Sequence, residues 1–434
     1  MNSTAKTRPK SESRDNPSIT TAGGAIDDGI LELVAGSKGT KPRVLLWRRG
    51  KATIGPRIVV GGRVYAPPEF HSSLYRATRL PSRCVGGASA RQLFQAILAQ
   101  FRQHLDLGPQ ESALLAAFSI STWFTDCFPI SPTLKISGPS REVGIGALRL
   151  LNCFCRHPLL LADLTPAFFR SLPPQLSFTL LINLQEPTRA VQRLLRATGD
   201  RGFHLPGNRG SLIDSYGARA VFCPDDAKIK PSGRGEIQLS AVPTCLHPSV
   251  LNEDAQNKIA NEFQSRLLMY RLRHYRDVCQ TPGTHSDFTS GLRPIAESLT
   301  ACFPQDPELA REVAALLRPQ DDEARGQRFC DVNRAIVEVL LGIIHAGKQR
   351  EARVDELAKD VNALLRSRGE TLAYSPEDVG WKLRGLDIPR HSSGSGRQVL
   401  LTQEAKGTVH RLARAYELPC PATNCPDSAP AKPT

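Results

Sequence analysis

The chain has 434 residues, 40% of them hydrophobic and 6% aromatic, and a formal net charge of +14. Its length allows two or three domains, each with a core of its own. No uncharged apolar run reaches the roughly 18 residues a membrane span needs, and the charge favours a polyanionic partner, nucleic acid first.

In chain order, residues 1–40 are rich in Ser, Thr, Lys, Gly and Asp and are expected to be a disordered tail, with order beginning near Pro42. The region 41–110 opens with two strand-like runs, RVLLWRRG and RIVVGGRVYAPP, each flanked by glycine. A helix follows in ARQLFQAILAQFRQHL, where Leu93, Phe94, Ile97, Leu98 and Phe101 share one face. The region 111–245 begins with SALLAAFSISTWFTDCF, apolar nearly all round and therefore a buried helix.

Strand and helix signals then alternate as far as Thr244, which predicts an α/β domain with a largely parallel sheet flanked by helices. The expected strands are Thr133–Ser137, Leu159–Ala162, Phe178–Asn183, Ala218–Cys223 and Glu236–Ala241. Several are unbroken apolar runs, as strands buried on both faces are. Asn208-Arg209-Gly210 marks a small hairpin before the fourth of them. Residues 246–348 read as a helical region, a lid or linker, broken by the loop QTPGTHSDFTSG, and 349–418 as a further domain. The Pro-rich segment 419–434 is expected to be a disordered tail.

Residues 132–156, PTLKISGPSREVGIGALRLLNCFCR, have the layout of a phosphate-binding loop: a short strand, a Gly-Pro turn, more glycines, then an amphipathic helix. The motif GxxxxGK[ST] uses backbone N–H groups to cradle phosphates, Lys to neutralise them and Ser/Thr to hold magnesium. Counted from Gly138, those last two positions are Gly144 and Ile145; counted from the next register they are Ile145 and Gly146. Neither register supplies the cation or the metal ligand. The candidate nucleotide-binding residues are Gly138, Pro139, Ser140, Arg141, Gly144 and Gly146, with Arg141 or Arg149 the cations that would substitute for the lysine. On the strand TLLINL the closing pair is Asn183-Leu184, where a working site has two acids. Asn183 completes the set without charge, and Glu186 lies two residues beyond it.

The order of these elements resembles the ATPase core of bacterial and phage primase–helicase-type P-loop proteins, near the superfamily 3 helicases and the AAA+ fold. It rests on Trp123-Phe124, Ser137-Gly138-Pro139, the turn Ala162-Asp163-Leu164-Thr165-Pro166-Ala167, TLLINL, Gly217 before AVFC, and Gly233-Arg234-Gly235 before EIQL. It covers about a third of the chain, residues 113–244. The resemblance implies ATP as ligand, an arginine finger at Arg234 and ring-like homo-oligomers in which that arginine serves a neighbour. Both defining motifs are degenerate, so the expectation is weak ATP binding with little or no magnesium, and no efficient turnover.

Residues 351–417 carry a second pattern. EARVDELAKDVNALLRSRGE places Val354, Leu357, Val361, Leu364 and Leu365 at helical spacing, and Ser375-Pro376-Glu377-Asp378 is a well-formed helix start. DIPRHSSGSGRQVLLT then reads as two short strands around a Gly/Ser turn, and AKGTVHRLARAYEL as a closing helix. Helix, helix and basic-tipped hairpin spell a winged-helix domain, and the layout resembles the C-terminal domain attached to the ATPases just named. Such domains place their second helix in the major groove, so Lys382, Arg384, Arg390 and Arg397 are the expected DNA contacts, with Trp381 or Lys382 nearest the bases.

Eleven cysteines are scattered singly apart from Cys153/Cys155 and Cys420/Cys425. Neither pair has a second half at zinc spacing, so reduced core thiols in a cytoplasmic protein are expected, with no metal site. The basic N-terminus has no apolar stretch behind it and does not read as a secretory signal. His204, His247 and His274 stand apart from any Ser or Cys motif, so no catalytic residue is assigned. Three functions follow: a DNA-associated protein of mobile-element type with an impaired ATPase domain, an active helicase using Arg141, Asn183, Glu186 and Arg234, or a protein-binding regulator.

Overall fold

The computed structural model describes residues 18–419 except 37–40, 70, 174–175, 198, 207–211, 215, 225–235, 245–250, 282, 284, 348–349 and 394–395. The chain divides into two units, Met1–Pro319 and Gln320–Thr434.

The first unit opens with strands β1 (Ile19–Thr20), β2 (Gly23–Ile26), β3 (Gly29–Val34), β4 (Arg43–Arg48), β5 (Lys51–Gly55), β6 (Ile58–Val60) and β7 (Arg63–Ala66). They form an antiparallel sheet β2-β3-β4-β5 and a smaller sheet β1-β7-β6. The expectation that the first 40 residues are disordered fails from Ile19 onward, because every residue of β3 is buried. Averaging over a polar segment hid the local run GILELV, and Asp27-Asp28 before Gly29 forms the turn that folds β3 back on β2. Next come α1 (Ser72–Ala77), α2 (Ala90–His104) and α3 (Pro109–Ser121). Ser89 starts α2 with a reciprocal cap to Gln92, and the predicted apolar face is the buried one. In α3 every residue from Ser112 to Ser121 is buried, and a 3-10 helix, Thr122–Cys127, continues it.

The chain then runs through β8 (Thr133–Ser137), α4 (Arg141–Phe154), β9 (Pro158–Leu161), α5 (Pro166–Ser171), β10 (Thr179–Asn183) and α6 (Arg189–Ala197). A hairpin of β11 (His204–Pro206) and β12 (Leu212–Asp214) precedes β13 (Arg219–Cys223) and β14 (Glu236–Ser240). The predicted hairpin is there, although its turn lies outside the described residues. The five strands expected from sequence make one sheet in the order β14-β8-β13-β10-β9, with every pairing parallel. Leu134, Ile136, Leu181, Ala220 and Phe222 share one core with α2, α3 and α4. Leu180, Ile182 and Val221 face the other way, onto Phe169 of α5 and Val191 and Leu194 of α6. A parallel five-stranded sheet with helices on both faces fits a P-loop-like fold. Helices α7 (Glu253–Gln280), α8 (Arg293–Ala301) and α9 (Pro307–Leu316) complete the unit.

A buried ion cluster joins these parts. The β3 carboxylate Glu32 accepts from Arg156 Nε and Nη2, both at 3.0 Å, and from Arg271 Nε of α7 at 2.7 Å. Arg271 also donates to Asp126 of the 3-10 helix, at 2.7 and 2.5 Å, and to the Trp123 carbonyl. His157 Nε2 stands 3.0 Å from Glu32. Burial alone would raise the Glu32 carboxyl, but the Arg156 and Arg271 guanidiniums hold it well below the usual carboxylate range. Burial, then Arg156, keeps His157 below its ordinary value and so neutral.

Cys127 and Cys279 form a disulfide across 152 residues, with Cα atoms 4.8 Å apart. This corrects the expectation of reduced thiols throughout. No local spacing announces a bridge between a 3-10 helix and the far end of α7. Cys84, Cys153, Cys155, Cys223, Cys302 and Cys330 are free.

In the second unit, reached through α10 (Arg318–Phe329), the order is α11 (Val332–Ala346), β15 (Glu351–Arg353), α12 (Val354–Ser367), α13 (Pro376–Gly385), β16 (His391–Ser393), β17 (Gly396–Leu400) and α14 (Gln403–Ala415). The strands form an antiparallel sheet β15-β17-β16. One core gathers Ile336 and Leu340 of α11, Leu357 and Val361 of α12, Leu383 of α13, Val399 of β17 and Val409 of α14. Helix α11 thus belongs with this unit, and the stretch read as one helical region, 246–348, is divided between two cores. Among the described residues no helix is long and apolar enough to cross a membrane.

Replacing Glu32 by Gln leaves two guanidiniums short of their counter-charge, and should cost about 3–5 kcal/mol of stability, read from denaturant midpoints. Because Glu32 has a depressed folded pKa, its contribution is complete above about pH 4.3 and is lost as pH falls below that. His157, also depressed, begins to cost stability once the unfolded imidazole protonates, below about pH 6.5. The midpoint should therefore fall from pH 7 to pH 5 and more steeply beyond, and an unchanged midpoint would contradict the cluster. Thiol labelling of the unfolded, unreduced chain should leave Cys127 and Cys279 unmodified until reductant is added.

Candidate functional site

Ligands of open α/β sheets bind outside the carboxyl ends of the strands where the connections diverge. Here β8 connects to one edge of the sheet through α4, and its neighbour β13 connects to the other edge. The link from β8 to α4 is three residues, Gly138, Pro139 and Ser140. Gly138 has φ +140°, and a Cβ there would lie 2.9 Å from the Ala241 carbonyl oxygen. The Ala241 N–H donates to the Ser137 carbonyl at 2.6 Å, and the Ser140 N–H donates to the Ala241 carbonyl at 3.4 Å. The Ser140 hydroxyl accepts from the Val143 N–H at 3.3 Å and starts the helix. The backbone after β14 therefore engages the loop that was expected to cradle phosphate.

Gly144 and Gly146 are not loop residues. Both lie within α4, and a Cβ at Gly144 would come within 2.3 Å of the Phe222 ring on β13. At Gly146 it would meet Leu105 at 2.8 Å. These glycines let α4 lie close on its sheet and on the end of α2. Close packing is thus a sufficient reason for glycine at both positions. Arg141 is exposed on the first turn of α4, and Glu142 beside it is the acid the helix dipole favours there. Asn183 sits at the end of β10 with its Oδ1 buried and unpartnered among the described residues, and Glu186 is exposed. Lys135 is a further cation near the loop, buried in β8 on the face away from α4. Arg234 lies outside the described residues. No group of three or more His, Cys, Asp or Glu side chains that could hold a metal occurs among the described residues.

The second unit brings Arg384, Arg390 and Arg397 to one cleft, while Lys382 is exposed on α13 outside its lining. Ser375 and Asp378 cap α13 reciprocally, and buried Val379 and Leu383 fix its rotation. Trp381, 65% exposed, and exposed Lys382 and Arg384 consequently face outward. The Arg384 guanidinium lies 5.8 Å from the centre of the Trp381 ring. Arg390 Nη1 would stand 2.9 Å from a Cβ at Gly380, and Arg397 Nη1 4.0 Å, so both reach across bare backbone of α13. Arg384, Arg390 and Arg397 line one cleft of about 610 Å³ together with Arg411 of α14, Asp387 and Glu404. Arg411 was missed because its helix read only as a closing element. Its place on the polar face of AKGTVHRLARAYEL was the available signal.

No protein-family model matches the sequence, and no curated protein matches it. Among solved structures, the chain is similar to the A-form apo structure of the NrS-1 C-terminal region, at 11% identity and a TM-score of 0.36 over 86% of this chain and 96% of that one. A second apo structure of that region, residues 305–718, gives 10% and 0.36 over the same shares. The structure of Drosophila ORC bound to DNA gives 13% and 0.18 over 77% of this chain and 95% of that one. Values this low carry no statement about function.

If Gly144 is a packing residue, Gly144→Ala should lower the unfolding midpoint by an amount corresponding to about 1–3 kcal/mol, the usual cost of overpacking. A variant as stable as the parent but altered in nucleotide affinity would restore the phosphate-loop reading.

Proposed function

We propose that this chain is a DNA-associated protein whose first unit serves as a P-loop-like scaffold without nucleotide turnover and whose second unit binds DNA as a winged helix. The proposal for the second unit rests on the co-location of Arg384, Arg390 and Arg397 at one cleft beside α13, with Lys382 exposed on the same helix. Element order supports the same reading, since helix, strand, two helices and an antiparallel hairpin is the winged-helix succession. The short link after β8 supports the scaffold reading, because three residues leave little backbone N–H to offer a triphosphate and Ser140 spends its own on Ala241. A lysine, a hydroxyl and two carboxylates are missing where turnover needs them, and one such stabilising group is commonly worth about 10²–10³ in rate.

DNA bound through these cations should lose affinity with salt, with a log–log slope near −0.9 per phosphate contact on duplex DNA. Arg390→Ala and Arg397→Ala should each flatten that slope by roughly one contact, without changing the unfolding midpoint. Fluorescence anisotropy with labelled duplex at several salt concentrations measures this. A slope near zero, or variants indistinguishable from the parent, would favour the protein-binding regulator instead.

A further inference from the structure

The cations of the second unit are unevenly placed on α13. Its first turn carries exposed Glu377 and Asp378, whereas Trp381, Lys382 and Arg384 occupy the second half. A helix entering the major groove puts its N-terminal residues against base edges between two phosphate rows, and two carboxylates there oppose that approach. The attractive surface instead runs from Trp381 through Arg384 into the arginine-lined cleft. At about 610 Å³ the cleft lies within the roughly 300–1,000 Å³ of sites that take one small ligand. That suits a nucleotide of a flexible strand, and the wall of a rigid duplex does not enter such a space.

An indole 65% exposed beside its own arginine is an unusual surface feature. Large aromatics are normally covered, while aromatic faces next to a basic groove are how single strands are held, bases on the rings and phosphates on the cations. We infer that the preferred ligand of the second unit is single-stranded DNA, with an unpaired base stacked on Trp381 and the adjoining phosphates held by Arg384, Arg390 and Arg397. This rests on the DNA-binding reading above and specifies the form of DNA. Asp387 and Glu404, which also line the cleft, narrow its positive field, which keeps the contact local to the phosphates and leaves the stacking face to select unpaired bases.

The test compares a labelled oligothymidylate with a blunt duplex of the same length on the full chain and three variants. Trp381→Ala should weaken the single strand about 10-fold, within the range of a lost base–aromatic stack, and leave the duplex within about two-fold. Trp381→Phe should retain most of the affinity while removing the tryptophan quenching that accompanies strand binding. Arg390→Ala should weaken both ligands. If Trp381→Ala leaves the single strand unchanged, or weakens strand and duplex alike, the single-strand inference is overturned while DNA binding stands. If Arg390→Ala changes neither ligand, or neither binds the parent, the DNA-binding reading falls and this one with it.

Discussion

Glu32 is the residue on which the first unit turns. It lies on a strand of the N-terminal sheet, yet its partners come from the end of α4 and the middle of α7, with Asp126 extending the cluster to the 3-10 helix. A carboxylate with no access to water is tolerated only when opposite charges and hydrogen bonds surround it. Four segments far apart in sequence must therefore meet for any of them to be stable. The Cys127–Cys279 bridge joins the 3-10 helix and α7 again beside the cluster. The N-terminal sheet is thereby part of the same body as the parallel sheet, and not an appendage.

The same compaction explains the state of the β8–α4 link. The Trp123 indole donates to the Phe154 carbonyl at 2.7 Å, and Gln264 of α7 donates to the Cys155 carbonyl at 2.7 Å, so the end of α4 is fixed from two sides. Its beginning is fixed by Gly144 against Phe222 and by the Ser140 cap. A helix held at both ends and pressed to its sheet leaves three residues for the connection. The Ala241 carbonyl then accepts from the last of them, Ser140, while its N–H donates to Ser137 at the end of β8. The sheet fits a P-loop-like fold, and the hydrogen bonds of Ala241 to Ser137 and Ser140 hold its edge strand β14 to the link after β8.

Much of the framework was legible in the sequence because it is written in short-range patterns. The strands β10 and β13 carry the unbroken apolar runs Leu180-Leu181-Ile182 and Ala220-Val221-Phe222-Cys223, α2 shows its face at helical spacing, and Ser375-Pro376-Glu377-Asp378 spells a helix start. The exposure of Trp381, Lys382 and Arg384 was likewise readable, since burying Val379 and Leu383 turns the other faces of α13 outward. What stayed hidden depends on pairings between distant segments. Nothing near Glu32 announces Arg156 or Arg271, and nothing near Cys127 announces Cys279. The glycines of GPSREVGIG illustrate a different difficulty: a glycine that admits a phosphate and one that admits a phenyl ring look the same until the neighbouring strand is placed. The N-terminal strands stayed hidden because the four apolar side chains of β3, Ile30, Leu31, Leu33 and Val34, were diluted by a polar surround.

Calorimetric titration of the full chain with ATP and magnesium tests most directly the proposal that the first unit is a scaffold that takes no nucleotide. No saturable heat, with the chain folded and still binding DNA under the same conditions, is the predicted result. Stoichiometric binding that Ser140→Ala or Arg141→Ala abolishes would show that the link after β8 opens to take a triphosphate, and would contradict it.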